Sequence, residues 1–167
     1  RTGLPNRSSC KEILNNKEII KEPTACIVFD LNNLKFINDT MGHSAGDQLI
    51  VNFAALLRSV LPEKDFVGRY GGDEFMVIIH NTDKSEVHEI LKRIYTEKDR
   101  LNSNGNELPI DYACGWAISD DYKESTIQIL FDRADSYMYK NKQLCKEQNL
   151  HSFQICGDIP EIFGDRR

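Results

Sequence analysis

Two strand-like runs, Phe66 to Tyr70 and Glu74 to Ile79, are separated only by Gly71, Gly72 and Asp73. A linker that short joins strands only as an antiparallel hairpin, and its glycines suit a tight turn. The surrounding pattern must therefore be assembled around an antiparallel pair. Thr24 to Phe29 is an apolar, β-branched run with few polar breaks, the signature of a strand covered on both faces. Ser44 reads as an N-cap, and Leu49, Ile50, Phe53, Leu56, Leu57 and Val60 behind it recur at helical steps. After the hairpin, Val87, Ile90, Leu91, Ile94 and Leu101 mark another helix, Ile110 to Ile118 a strand, and Ile127, Leu130, Phe131, Ala134, Tyr137 and Met138 a last long helix.

Strand, helix, hairpin, helix, strand is the ferredoxin-like, palm-type βαββαβ order. The expected fold is α+β, with a central, mostly antiparallel sheet flanked by helices. Outside that core, a helix opened by Pro5 is expected to run to about Ile20, and Asn33 to Thr40 to form one or two helical turns ended by Gly42. His151 to Ile155 is expected to add a C-terminal edge strand. The domain is placed at residues 1–155. Residues 156–167, which include Gly157, Pro160 and Gly164, are expected to be a disordered tail.

The 167 residues are 40% hydrophobic and 28% charged, enough for one core under a solvated surface. A net charge of -5 argues against a nucleic-acid partner, which calls for a basic stripe, but not against a nucleotide enzyme with a few local cations. Cys10, Cys26, Cys114, Cys145 and Cys156 form no C-x-x-C pair, which argues against zinc and for reduced thiols in a cytoplasmic setting. No apolar run is long enough to cross a bilayer. The chain begins at Arg1 rather than Met and reads as a segment of a longer protein.

Asp30 ends the first buried strand, and Asp73 and Glu74 stand at the mouth of the hairpin. If the hairpin lies beside that strand, these carboxylates converge at one sheet edge, where like charges need a cation. Magnesium, which takes a few carboxylates plus phosphate oxygens, suits them and serves phosphoryl transfer; manganese is the alternative. The bare backbone of Gly71 and Gly72 would admit a phosphate or ribose closely. Equally, Asp30 can simply end a strand or cap the next turn, and Asp73 and Glu74 can be an ordinary polar hairpin.

The run R-Y-G-G-D-E-F at Arg69 to Phe75 resembles the signature of the GGDEF family of diguanylate cyclases. In the same order, T-G-L-P-N-R at Thr2 to Arg7, F-D-L-N-N-L-K-F-I-N-D at Phe29 to Asp39, G-H-S-A-G-D at Gly42 to Asp47 and A-D-S-Y-M-Y-K-N-K at Ala134 to Lys142 resemble further motifs of that family. The resemblance covers roughly Thr2 to Lys146. It implies condensation of two GTP into cyclic di-GMP in a homodimer, under an upstream sensory or regulatory domain. It implies metal ligands at Asp30, at the Leu31 carbonyl and at Asp73, with Asp73 helping to deprotonate the ribose hydroxyl and Glu74 supporting the site. Asn38 and Asp47 match positions that read guanine. Their chemistry agrees, since a carboxylate accepts from guanine's N1–H and N2–H₂ and adenine offers no such pair. Lys35 falls in the phosphate-facing loop, and Lys142 matches a triphosphate contact.

Three departures bear on this expectation. Asn32 replaces the second Asp of a D-x-D. Lys146 stands where the family commonly has arginine, and lysine lacks the bidentate fork to phosphate. Pro62 replaces the arginine of an R-x-x-D product-inhibition site, leaving only Asp65, so tight feedback inhibition is not expected there. The alternatives are a catalytically weak or inactive GTP-binding regulatory domain, a palm-type cyclase or polymerase making another product, and a pure interaction module.

Overall fold

All eight residues of β1 (Thr24–Leu31) are buried, as a strand covered on both faces requires. The computed structural model describes residues 2–105 and 107–148. Around β1, in chain order, stand α1 (Arg7–Leu14), α2 (Leu34–Met41), α3 (His43–Val60), β2 (Phe66–Arg69), β3 (Glu74–His80), α4 (Lys84–Ser103), β4 (Tyr112–Ile118) and α5 (Ile127–Gln148). The sheet order is β2-β3-β1-β4, and every neighbouring pair is antiparallel. This is the expected ferredoxin-like core with an added N-terminal helix. The expected edge strand at 151–155 and the tail at 156–167 lie outside the described residues.

The alternation of β1 divides the core. Ala25, Ile27, Phe29 and Leu31 face α2, α3 and α4, where Phe29, Phe53, Phe75 and Tyr112 form a cluster of rings with centroids 5.0 to 5.7 Å apart. Cys26 and Val28 face α1 and α5. On that side β4 presents Ala113, Gly115 and Ala117. A Cβ at Gly115 would collide with the backbone of Ala134 and Met138, so glycine lets α5 lie directly on the strand. This close docking carries the far end of α5, with Lys142, to the edge of β1.

Several expected boundaries moved for local reasons. The first helix stops at Leu14, not Ile20: Asn15 closes it, and the Asn16 side chain accepts from the Glu18 amide at 2.9 Å, turning the chain away. Its cap is Asn6, whose side chain accepts from the Ser9 amide at 3.1 Å. Ser44 is not an N-cap, and Ser44 and Asp47 make no capping box. Gly42, at φ 93°, turns the chain straight from α2 into α3, so both residues lie inside the helix. The first strand continues to Leu31. The last begins at Tyr112, because the Asn102 side chain takes both the N–H and the C=O of Ile110 at 2.9 and 2.8 Å.

Candidate active site

The β1–β3 ladder sets Asp30 opposite Glu74, and the Leu31 amide donates to the Asp73 carbonyl at 2.8 Å one step further on. Register alone thus brings Asp30, Leu31, Asp73 and Glu74 to one sheet end. Asp30 is only 8% exposed. Its Oδ2 accepts from the Lys142 ammonium at 2.5 Å, while its buried Oδ1 has no hydrogen-bond partner. Burial and then the neighbouring Asp30 charge push the Asp73 carboxyl above its ordinary value; a hydrogen bond to Asp30 acts the same way and Lys142 opposes. Burial, Asp73 and Asp30 likewise raise Glu74. Asp135 is raised by burial, and its carboxylate accepts from the Tyr70 hydroxyl at 3.4 Å.

Two clefts meet here. One, of about 950 Å³, is lined by Leu31, Lys35, Phe36, Asp73, Lys142 and Lys146, among others. The second, of about 600 Å³, is lined by Asp30, Glu74, Asp135, Lys142 and Lys146, with Tyr139 at its rim. Lys142 and Lys146 border both. The structure thus gathers Asp30, Leu31, Asp73, Glu74, Lys35, Lys142 and Lys146 around one locus. Lys35 is there chiefly by its stem, since its ammonium is exposed and pairs with Asp39 at 2.8 Å.

Other expected site residues stand apart. Asn38 lies over Gly46, where any Cβ would strike its amide oxygen, and Asp47 is exposed one residue on. Neither lines the two clefts. A Cβ at Gly71 would strike the Glu74 carboxylate, so the missing side chain leaves room for Glu74. Gly71 and Gly72 line a separate cleft of about 630 Å³ with the entry segment Thr2 to Arg7.

The donor set fits a magnesium-sized hard cation. Asp30 Oδ1 is buried and unpartnered, Asp73 is held against it, and the Leu31 backbone is adjacent. Among the described residues no group of three His, Cys, Asp or Glu side chains could hold a metal, which leaves the remaining positions to a carbonyl, water and phosphate oxygens. Sequence reading missed the Asp135–Tyr70 contact and the Asn32 amide that donates to Asp111 at 2.9 Å at the cleft wall. Asp135 was within reach, since it stands seven residues, two helical turns, before Lys142 on α5. The Asn32–Asp111 pair carries no sequence signal.

Fold and site define a palm-type α+β domain with an acidic edge. The chain belongs to the diguanylate cyclase GGDEF-domain family, whose family model matches residues 1–148. It is 35% identical to the signaling protein YkoW of Bacillus subtilis, over 92% of this chain and 20% of that one. It is 30% identical to a diguanylate cyclase of Vibrio cholerae, over 84% of this chain and 47% of that one. The crystal structure of the GGDEF domain of PA1120 from Pseudomonas aeruginosa superposes with a TM-score of 0.72 at 29% identity, covering 91% of this chain and 95% of that one. The chain thus spans a fifth to a half of these two curated relatives. Relatives of similar identity include proteins named cyclic di-GMP phosphodiesterases. No helix among the described residues is long and apolar enough to cross a membrane.

Proposed function

We propose that this domain is a diguanylate cyclase that condenses two GTP into cyclic di-GMP with release of two pyrophosphates, at a site shared by two chains. The observation that carries the reading is the Asp30–Asp73 pair at one sheet end, beside a nucleotide-sized cleft walled by Lys142 and Lys146. Asp30, the Leu31 carbonyl and Asp73 would hold magnesium, or manganese. Bound there, the ion would supply charge stabilisation for phosphoryl transfer.

The chain's own groups divide the remaining work. Asp73 accepts the proton of the ribose 3′-hydroxyl. That oxygen bonds to the α-phosphorus of the other GTP, the α–β bridging bond breaks, and pyrophosphate leaves with the electron pair. Glu74 keeps the edge acidic. Lys142 and Lys146 donate to triphosphate oxygens, Lys142 either beside or in place of its bond to Asp30. Lys35 adds charge at the mouth. Asn38 and Asp47 read the guanine edge from the α2–α3 turn. A two-fold product calls for two chains related by a two-fold axis, each positioning one GTP. The domain would act in the cytoplasm, where GTP is available, under an upstream regulatory segment. With Pro62 in the arginine's place, it would lack strong product inhibition.

A second reading, a GTP-binding regulatory domain without turnover, is favoured by Lys146 in place of arginine and by the Lys142 ammonium already seated on Asp30. Incubation of the concentrated domain with GTP and magnesium separates the two. Cyclic di-GMP found by mass spectrometry, and lost in Asp73→Ala, is the expected result. GTP binding with no product would establish the regulatory reading instead.

A further inference from the structure

Arg69 opens the R-Y-G-G-D-E-F run, yet no role in the reaction falls to it. Its side chain does not reach the carboxylates. It turns back over the hairpin loop: Nε donates to the Gly71 and Gly72 carbonyls at 3.1 Å each, and Nη2 donates to the Gly72 carbonyl at 2.7 Å. Its backbone is fixed too, as its amide donates to the Pro5 carbonyl at 3.0 Å and Arg69 pairs with Phe75 in the β2–β3 ladder.

The loop it spans is confined at its first glycine, where the Gly71 amide donates to the Glu74 carbonyl at 3.3 Å and a Cβ would strike the Glu74 carboxylate, and open at its second. Gly71 and Gly72 are successive glycines, and a Cβ at Gly72 would meet nothing within 4 Å, so neighbouring side chains do not confine it. Past the loop, the Leu31 amide holds the Asp73 carbonyl at 2.8 Å. Two restraints therefore meet on either side of Gly72: the guanidinium on the carbonyls before Asp73, and β1 on the carbonyl of Asp73 itself. A planar guanidinium with several fixed donors suits two adjacent carbonyls better than a single ammonium.

We propose that Arg69 is a positioning residue: its guanidinium locks the Gly71–Gly72 backbone and thereby sets where the Asp73 carboxylate stands. The proposal rests on the diguanylate cyclase reading for its kinetic consequence but not for its structural one. Arg69 lies before the reacting groups and spends its guanidinium on backbone carbonyls. Its loss leaves the substrate-binding lysines in place and misplaces Asp73, which the proposed reaction uses both as proton acceptor and as metal ligand. Displacement of a reacting group by about an ångström costs roughly 10²-fold in rate.

The test compares wild type with Arg69→Ala and Arg69→Lys in three measurements: cyclic di-GMP formation against GTP concentration, thermal midpoint, and hydrogen–deuterium exchange of a peptide covering residues 70–74 without nucleotide. For Arg69→Ala the expected result is kcat lower by about 10- to 100-fold with KM within about twofold, faster exchange in the peptide, and partial recovery of kcat with added methylguanidinium. Arg69→Lys keeps the charge but not the fork, and should fall between. Wild-type kcat and exchange in Arg69→Ala would overturn the proposal. If the alanine variant does not fold, Arg69→Lys decides: reduced kcat at an unchanged midpoint supports the proposal, and unchanged kcat and exchange refute it. If the wild type forms no product, the activity reading fails, and the exchange comparison still tests the loop.

Discussion

Both ends of the sheet bury a carboxylate beside a cleft, and they differ in what stands against it. At the site end, Asp30 meets the Lys142 ammonium, delivered by α5 across the sheet. At the far end, Asp65 is 5% exposed beside a cleft of about 860 Å³ that Pro62, Lys64, His80, Glu86 and Arg93 also line. The arginine nearest that loop, Arg58, spends its guanidinium on the Pro62 and Asp65 carbonyls at 2.8 and 3.2 Å. Burial therefore dominates at Asp65 and raises its carboxyl, with only weaker opposition from Lys64, His80 and Arg58. A buried acid facing a displaceable cation is a place where a ligand can exchange for that cation. A buried acid beside a backbone-tethered arginine is a folded loop that happens to be acidic.

The sharpest way to break this contrast is Asp73→Ala. Product formation should fall on the order of 10³-fold, because the proton acceptor and a metal ligand go together. The thermal midpoint without metal should hold or rise, since the fold disfavours the charged form of this carboxyl. A large loss of stability would mean that Asp73 is structural. Lys142→Met comes next. KM for GTP should rise about tenfold through a lost charge-assisted bond, with a stability cost of about 1–3 kcal/mol for leaving the buried Asp30 unpaired. Adding Asp30→Asn to Lys142→Met should restore the stability and not the activity, which urea titration and initial rates would check.

The fold was legible because its strongest signals are local. A three-residue gap admits only a hairpin, and the apolar steps of α3, α4 and α5 admit only helices. What the sequence hid are events decided by one torsion or one side chain. The left-handed φ of Gly42 removed the need for Ser44 as a cap, and the Asn16 turn ended α1 six residues before Ile20. At the site, Asp30 and Asp73 were legible because strand ends and hairpin mouths fix where carboxylates go. Tyr70 and Asp135 meet across 65 residues of chain, and Asn38 overlies Gly46 because a helix turn happens to be tight. No spacing rule announces either contact. Arg69 escaped for a different reason, as it acts on carbonyls, which carry no sequence identity.

The site end should also answer to pH. Asp73, Glu74 and Asp135 all carry raised values at the site end. The folded state then binds protons more tightly than the unfolded chain, so the stabilisation is complete below the ordinary values of 3.8 for Asp and 4.5 for Glu. It is lost as pH rises through the elevated folded values. Thermal midpoints of metal-free wild type and Asp73→Asn should therefore diverge as pH climbs above 3.8, with the variant becoming the more stable. Magnesium should narrow the gap by stabilising the wild type preferentially. Parallel profiles would remove the charge conflict from the site.

The smallest effect belongs to the far end, and it is informative because it is small. Asp65 has the same sign of shift as Asp73, so Asp65→Asn should likewise remove a pH-dependent liability; a gain of up to about 1 kcal/mol at neutral pH is expected. Kinetically nothing should change. A product carrying two phosphates needs free guanidinium forks at this cleft: Pro62 supplies none, Arg58 is committed to two carbonyls and Arg93 donates to the Val60 carbonyl at 2.8 Å, which leaves Lys64 and His80. Micromolar cyclic di-GMP should thus inhibit wild type and Asp65→Asn equally weakly. Inhibition of the wild type that vanishes in the variant would show that Arg58 can abandon the loop for a ligand. The far end would then share with the site end the property that now sets the two apart, a cation free to change partners.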